Sequence, residues 1–270
     1  MPLTLPTRGA PALVLIVITL LLAGVTPGRA AARGGGAAAS DTDLFAPVTA
    51  QVAAAEAALA TLPPDSPARV ERLLDLGRMD EALPLLDGLR GDPRAITRAR
   101  ARAYLAVQDF TRARPLINAI SQQGVLTDAE RGLRYAWLFA IDDAAQVDRL
   151  ARRALQSGRG PYPDLLAAGR LAADLFDFDR ADSCFSDVVR RTVGKPDTLA
   201  RAAALRGLGV VAYKRRDFDR SFENLRLSLA LSASAENLEA LAETLVRLSR
   251  TNEAITASEW AIRLNPYFDP

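Results

Sequence analysis

The sequence has no histidine, a single cysteine and two lysines among its 270 residues. Without histidine, the commonest general base and the commonest metal ligand are missing, as are the Ser-His and Cys-His nucleophile systems. Cys184 has no disulfide partner within the chain, and its place beside Phe185 is typical of a small buried apolar residue. Composition therefore argues against an enzyme, although two carboxylates brought together by the fold stay open as an acid-base pair.

Two stretches imitate binding motifs without meeting their requirements. The segment GLGVVA at 207–212 has the glycine spacing of a dinucleotide-binding loop, but no strand precedes it. The segment LFDFDRADSCF carries Asp177, Asp179 and Asp182, but it lacks the glycine and the closing glutamate of a calcium loop. We therefore predict no cofactor and no metal site.

Charge does not single out a class of partner. The chain has 34 basic and 32 acidic residues, a net charge of +2, and 49% hydrophobic residues. This composition is that of a folded chain, and the near balance provides no general attraction to nucleic acid. We therefore predict no nucleic-acid partner.

The N-terminus has the order of features found in a secretory signal peptide. Arg8 precedes an apolar run at 12–23, which is followed by TPGRA and a small-x-small ending at Gly28 and Ala30. We predict a signal peptide over 1–30 and export to the periplasm or cell envelope. The apolar run is shorter than the roughly 18 to 20 residues that span a bilayer, so an uncleaved membrane anchor is the alternative. A Gly/Ala linker is predicted over 31–43 and a helix over 44–62.

The remainder, 63–270, has the pattern of an all-α protein. Apolar residues recur at spacings of three and four, and no stretch alternates with a period of two. Sliding the sequence along itself aligns one column of mostly small residues: Ala82, Ala113, Val147, Ala181, Ser221 and Ala254. The steps between them are 31, 34, 34, 40 and 33 residues, which is the period of a helix hairpin.

Further columns share this period. Small residues fall in the first helices at Ala101, Gly169, Gly209 and Ala242, large residues begin the second helices at Met79, Phe110, Phe178 and Phe218, and Pro266 closes the last unit. Over 63–266 the sequence resembles the tetratricopeptide repeat family, although the family's first-helix tryptophan is absent and the third repeat is poor. The resemblance implies a right-handed superhelical solenoid of antiparallel helix hairpins, with about six repeats.

In that family the first helices line a concave groove that holds an extended peptide or a helix of a partner. The positions that correspond to the groove are Arg98, Arg102, Arg170, Arg206, Tyr213 and Lys214, with Glu239 and Glu243 near the C-terminal end. Because arginine binds carboxylates through two parallel hydrogen bonds, the resemblance implies an acidic protein segment or an anionic polysaccharide as the ligand. We predict a non-catalytic scaffold or adaptor of the cell envelope.

The C-terminal sequence NPYFDP leaves an alternative open. A repeat array needs a polar cover at its end, and none follows Pro266. Either Tyr267 and Phe268 fold back on Trp260, or the chain continues beyond residue 270, which we favour. In the second case these repeats would be the N-terminal arm of a larger enzyme or of a secretion or transport subunit.

Overall fold

The computed structural model describes residues 43–156 and 160–267. The predicted signal peptide and almost all of the predicted linker lie outside these ranges. Within them the chain forms α-helices and no strand, which confirms the all-α prediction. No helix of this part is long and apolar enough to cross a membrane.

A first helix, α1 (Ala46–Thr61), precedes six helix pairs in the described residues. The first three pairs are α2 (Pro67–Asp75) with α3 (Met79–Ala82), which continues as a 3-10 helix over Leu83–Gly88; α4 (Pro93–Ala106) with α5 (Phe110–Gln122); and α6 (Asp128–Ala140) with α7 (Ala144–Gln156). The other three are α8 (Tyr162–Asp174) with α9 (Phe178–Thr192), α10 (Thr198–Lys214) with α11 (Phe218–Leu231), and α12 (Ala235–Arg247) with α13 (Thr251–Leu264). In each pair the two helices pack on each other, and each pair packs on the next.

The hairpin turns repeat one backbone feature. Each has a residue with positive φ just after the first helix: Gly77, Gln108, Asp142, Phe176, Arg216 and Ser249. These residues are 31, 34, 34, 40 and 33 positions apart, the same steps as in the sequence column. In four of the turns an aspartate then caps the second helix, since Asp109, Asp143, Asp177 and Asp217 each accept a hydrogen bond from the backbone N–H three residues later. The hairpin period is thus present in the backbone.

Close helix packing accounts for the small residues. All six residues of the aligned column are at most 2% exposed. A Cβ atom on Gly209 would lie 2.6 Å from Leu225, and one on Gly169 would lie 2.7 Å from the ring of Phe185. Gly207 is not among the aligned small residues, but a Cβ atom on it would lie 2.5 Å from the same ring. Glycines on α8 and α10 therefore make the space that Phe185 of α9 fills.

The last hairpin contacts the first, an arrangement that neither C-terminal alternative anticipated. Gly77, in the α2–α3 turn, lies so close to the end of α13 that a Cβ atom there would be 2.2 Å from the carbonyl oxygen of Arg263. Tyr267 packs against the core of the first hairpin and donates a hydrogen bond from its hydroxyl to Asp80 at 3.3 Å. The first hairpin thus covers the end of α13.

Helix α1 connects the first hairpin to the end of the fifth. Near its N-terminal end, the side-chain amide of Gln51 donates to the carbonyl of Leu229 at 3.0 Å and accepts from the N–H of Ala233 at 2.6 Å. Near its C-terminal end, Glu56 forms an ion pair with Arg78 at 2.9 Å, and Leu59 is buried in the core of the first hairpin. One helix therefore holds the loop after α11 and the first hairpin together.

Candidate partner-binding face

The residues predicted to line a groove are spread over three first helices. Arg98 and Arg102 lie on α4, Arg170 lies on α8, and Arg206, Tyr213 and Lys214 lie on α10. All six are at least partly accessible to solvent. Together with Glu236, Glu239 and Glu243 of α12, we call them the first-helix face.

On α4, both arginines are paired with carboxylates of the preceding first helix. Arg98 Nε donates to Glu71 Oε1 at 2.9 Å, and Arg102 Nη2 donates to Asp75 Oδ1 at 2.5 Å. These pairs connect α2 to α4, so the two arginines contribute to the contact between the first and second hairpins. A carboxylate of a partner would have to compete with Glu71 and Asp75 for them.

The same pairing recurs between α8, α10 and α12. Lys214 Nζ lies 3.4 Å from Asp174 Oδ1 and donates to the carbonyl of Ala173 at 3.1 Å. Arg206 Nη1 lies 3.3 Å from Glu236 Oε2. Five of the six predicted groove positions are cations, whereas the structure shows a surface of both signs. The acidic partners sit one hairpin away from each cation, so only the fold reveals them.

Arg170 differs from the other cations of the face. Its guanidinium lies over the ring of Phe139 at 4.0 Å, its ion pair with Asp174 is loose at 3.9 Å, and its side chain is 60% exposed. The pKa of Arg170 is lowered, and desolvation is the main cause. A stacked, accessible and weakly paired guanidinium is well placed to accept a carboxylate in a bidentate geometry. Phe139 was not predicted, because only packing brings α6 against α8.

Tyr213 marks one end of the face. Its hydroxyl accepts a hydrogen bond from Arg247 Nε at 3.1 Å, and its ring packs edge-on against Phe218 with 5.6 Å between ring centroids. The side chain is held by α11 and α12 together. It is therefore a fixed aromatic surface at this position.

The three glutamates of α12 are accessible and yet partly desolvated. Desolvation, followed by the charges of Glu243 and Glu236, raises the pKa of Glu239 to about 7. Desolvation also raises the pKa of Glu243. Desolvation would also raise the pKa of Glu236. The positive charges of Arg206 and Arg170, together with hydrogen bonds, outweigh it, so the pKa of Glu236 is lowered.

Replacing Glu239 with glutamine is expected to change stability in a pH-dependent way. The folded-state pKa lies above the unfolded one, so ionising Glu239 destabilises the fold as pH rises from about 4.5 to about 7. Because the side chain is partly exposed, we expect Glu239→Gln to gain only about 1 kcal/mol at pH 8, and almost nothing at pH 5. Urea denaturation at both pH values measures this. An equal gain at both would show that Glu239 is ionised at pH 5.

The acidic stretch around Asp177 has a structural explanation. Asp177 caps α9, while Asp179 and Asp182 each pair with Arg215 at 2.6 Å. Within 43–156 and 160–267, no group of three or more acidic or cysteine side chains is arranged to hold a metal ion. Cys184 is buried, and burial raises the pKa of its thiol, which disfavours the reactive thiolate.

Comparison of the sequence with protein families and with curated proteins found no relative. The structural observations that bear on function are therefore the six hairpins, the first-helix face and the contacts that hold them.

Proposed function

We propose that the chain is a non-enzymatic scaffold of the tetratricopeptide repeat type, exported to the cell envelope, which binds a segment of a partner protein on the first-helix face. In this proposal the six hairpins wind into a right-handed superhelix. The regular turn spacing and the buried column of small residues support a repeat array. Such an array offers an extended surface for binding.

The observation that carries the proposal is that Arg170 is exposed, packed on an aromatic ring and only weakly paired. The guanidinium of Arg170 lies over the ring of Phe139 and meets only a loose internal ion pair, in contrast to Arg98 and Arg102. An acidic side chain or a free C-terminal carboxylate of the partner would pair with Arg170 without first breaking a close ion pair. Arg206 and the glutamates of α12 lie beside it and would select polar groups of both signs on the same segment.

The test is capture of an envelope protein by the immobilised chain, followed by mass spectrometry. We expect Arg170→Gln to reduce capture about tenfold or more, since a charge-assisted hydrogen bond to the partner is lost. Neutral replacement is preferred, because a glutamate at Arg98 or Arg102 would face Glu71 or Asp75 and destabilise the fold as well.

Arg114→Gln serves as the matched control. Arg114 is an exposed arginine on α5, a second helix. The control should bind as well as the unmodified chain, and both variants should keep the melting temperature. Equal capture by Arg170→Gln and the unmodified chain would rule out the first-helix face as the binding site.

A further inference from the structure

The third hairpin, whose sequence fits the repeat pattern least well, borders an open cavity of about 500 Å³. Helices α6, α7 and α8 and the loop after α5 form its walls. The polar groups that face it include Arg131, Arg134, Tyr135, Arg153 and Asp164. Cavities of this size are in the range that holds small molecules.

A buried acid and a buried tyrosine lie together in the wall of this cavity. Asp164, in the first turn of α8, is 3% exposed, and Tyr135 of α6 is 5% exposed. The Tyr135 hydroxyl donates a hydrogen bond to Asp164 Oδ1 at 2.5 Å. This bond fixes the carboxylate and directs its second oxygen away from the tyrosine. The tyrosine stays protonated, since burial and the hydrogen bond to Asp164 raise its pKa.

The second carboxylate oxygen has unused hydrogen-bonding capacity. Among the described residues, Asp164 Oδ2 accepts no hydrogen bond, and its nearest cation is Arg131 Nη1 at 3.6 Å. A buried carboxylate oxygen without a donor is costly and rare in folded proteins. Desolvation raises the pKa of Asp164, as expected for such a group. The oxygen is suited to accept a hydrogen bond from a hydroxyl that enters the cavity.

Positive charge dominates the rest of the cavity wall. Three arginines line it, whereas Asp164 is the single carboxylate in its described lining. Within the described part of the chain, Arg134 and Arg153 form no ion pair with a carboxylate, in contrast to Arg98 and Arg102 of the first-helix face. Arg131 is engaged with Asp164 and with the carbonyl of Leu126. The guanidinium groups of Arg134 and Arg153, which have no carboxylate partner among the described residues, favour a carboxylate or a phosphate group in the cavity.

We propose that this cavity is a binding site for a small hydroxylated organic anion. The arginines hold its carboxylate or phosphate group, and Asp164 Oδ2 accepts a hydrogen bond from a neighbouring hydroxyl. The proposal does not depend on the first-helix face, because none of the five cavity residues belongs to it. It assigns the chain a ligand in addition to its partner protein.

Three sugars with the same ring hydroxyls test the proposal on the full chain by calorimetry. Glucose carries a neutral hydroxymethyl group where glucuronate carries a carboxylate, and in glucose 6-phosphate the same hydroxymethyl group is esterified with phosphate. We expect saturable binding of at least one of the two anions at millimolar concentrations and binding of glucose that is weaker by about tenfold or more. The two anions compared with each other tell carboxylate from phosphate.

Substitutions then locate the site. Arg134→Gln combined with Arg153→Gln should weaken binding of the anion by about tenfold or more, while Arg114→Gln on α5 should leave it unchanged. Asp164→Asn keeps an acceptor for Tyr135, but it removes the carboxylate oxygen that receives the ligand hydroxyl. This variant should also weaken binding, and circular dichroism checks that it folds.

Three results would each overturn the proposal. The first is the absence of saturable binding for both anions, and the second is equal binding of glucose and the anions. The third is anion binding that the paired arginine substitutions do not change. The arginine variants lie at the cavity surface, so this last result decides even if Asp164→Asn fails to fold.

Discussion

Gly77→Ala is expected to lower the free energy of unfolding by about 3 kcal/mol, the sum of two costs. Gly77 has φ of +73°, a left-handed conformation that costs an L-residue with a side chain about 1 to 2 kcal/mol. The added Cβ would also lie 2.2 Å from the carbonyl oxygen of Arg263. The obstacle is backbone at the end of α13, so the contact between the first and last hairpins must shift. Urea denaturation monitored by circular dichroism gives the value.

Gly194→Ala separates the two costs. Gly194 has nearly the same φ, +72°, but a Cβ there meets no atom within 4 Å. This control should therefore lose only about 1 kcal/mol. Hydrogen exchange in Gly77→Ala should increase around α2, α3 and the end of α13, since their shared contact is weakened. Equal losses for the two variants would mean that the junction does not contribute to stability.

Gly207→Ala is expected to destabilise the chain when residue 185 is phenylalanine and to stabilise it when residue 185 is alanine. In the unmodified chain the new methyl group would lie 2.5 Å from the ring of Phe185, and we expect a net loss of about 2 kcal/mol. Phe185 is 4% exposed, so Phe185→Ala alone should cost about 3 to 5 kcal/mol through the cavity it leaves. In that second background the methyl group has room, and Gly207→Ala should stabilise α10 by about 1 kcal/mol through helix propensity.

Gly132→Ala on α6 provides the control for helix propensity. A Cβ at Gly132 meets no atom within 4 Å, so alanine there should stabilise the chain by about 1 kcal/mol in both backgrounds. The four free energies of the cycle come from urea denaturation. If Gly207→Ala destabilises the chain equally with and without Phe185, the ring is not what occupies the space beside this glycine.

The repeat period and the starts of four second helices, at Met79, Phe110, Phe178 and Phe218, could be read from local sequence. Aspartate followed by phenylalanine marks the starts of α5, α9 and α11, because an N-cap residue and the first buried residue of a helix are adjacent in the chain. The aligned small residues predict positions that are buried, since the same helix contact recurs in each hairpin. Gly207 was overlooked because its role depends on a ring from another helix.

The candidate sites were harder to infer. The cations of the first-helix face were found from their register, but the carboxylate partners of four of them, Arg98, Arg102, Arg206 and Lys214, lie 27 to 40 residues away in sequence. The cavity at the third hairpin was not predicted at all. Tyr135 and Asp164 are 29 residues apart, and neither belongs to a recognisable motif.

The sequence alone determined that this protein is a series of helix hairpins, because helix formation, capping and turn geometry depend on residues that are near neighbours along the chain. Tertiary structure decided the rest: that Gly77 meets Arg263, that Gln51 of α1 contacts the end of α11, and that Asp164 lies in the wall of a cavity lined by arginines. These contacts join residues far apart in sequence, and they follow from how the helices stack, which no local pattern encodes.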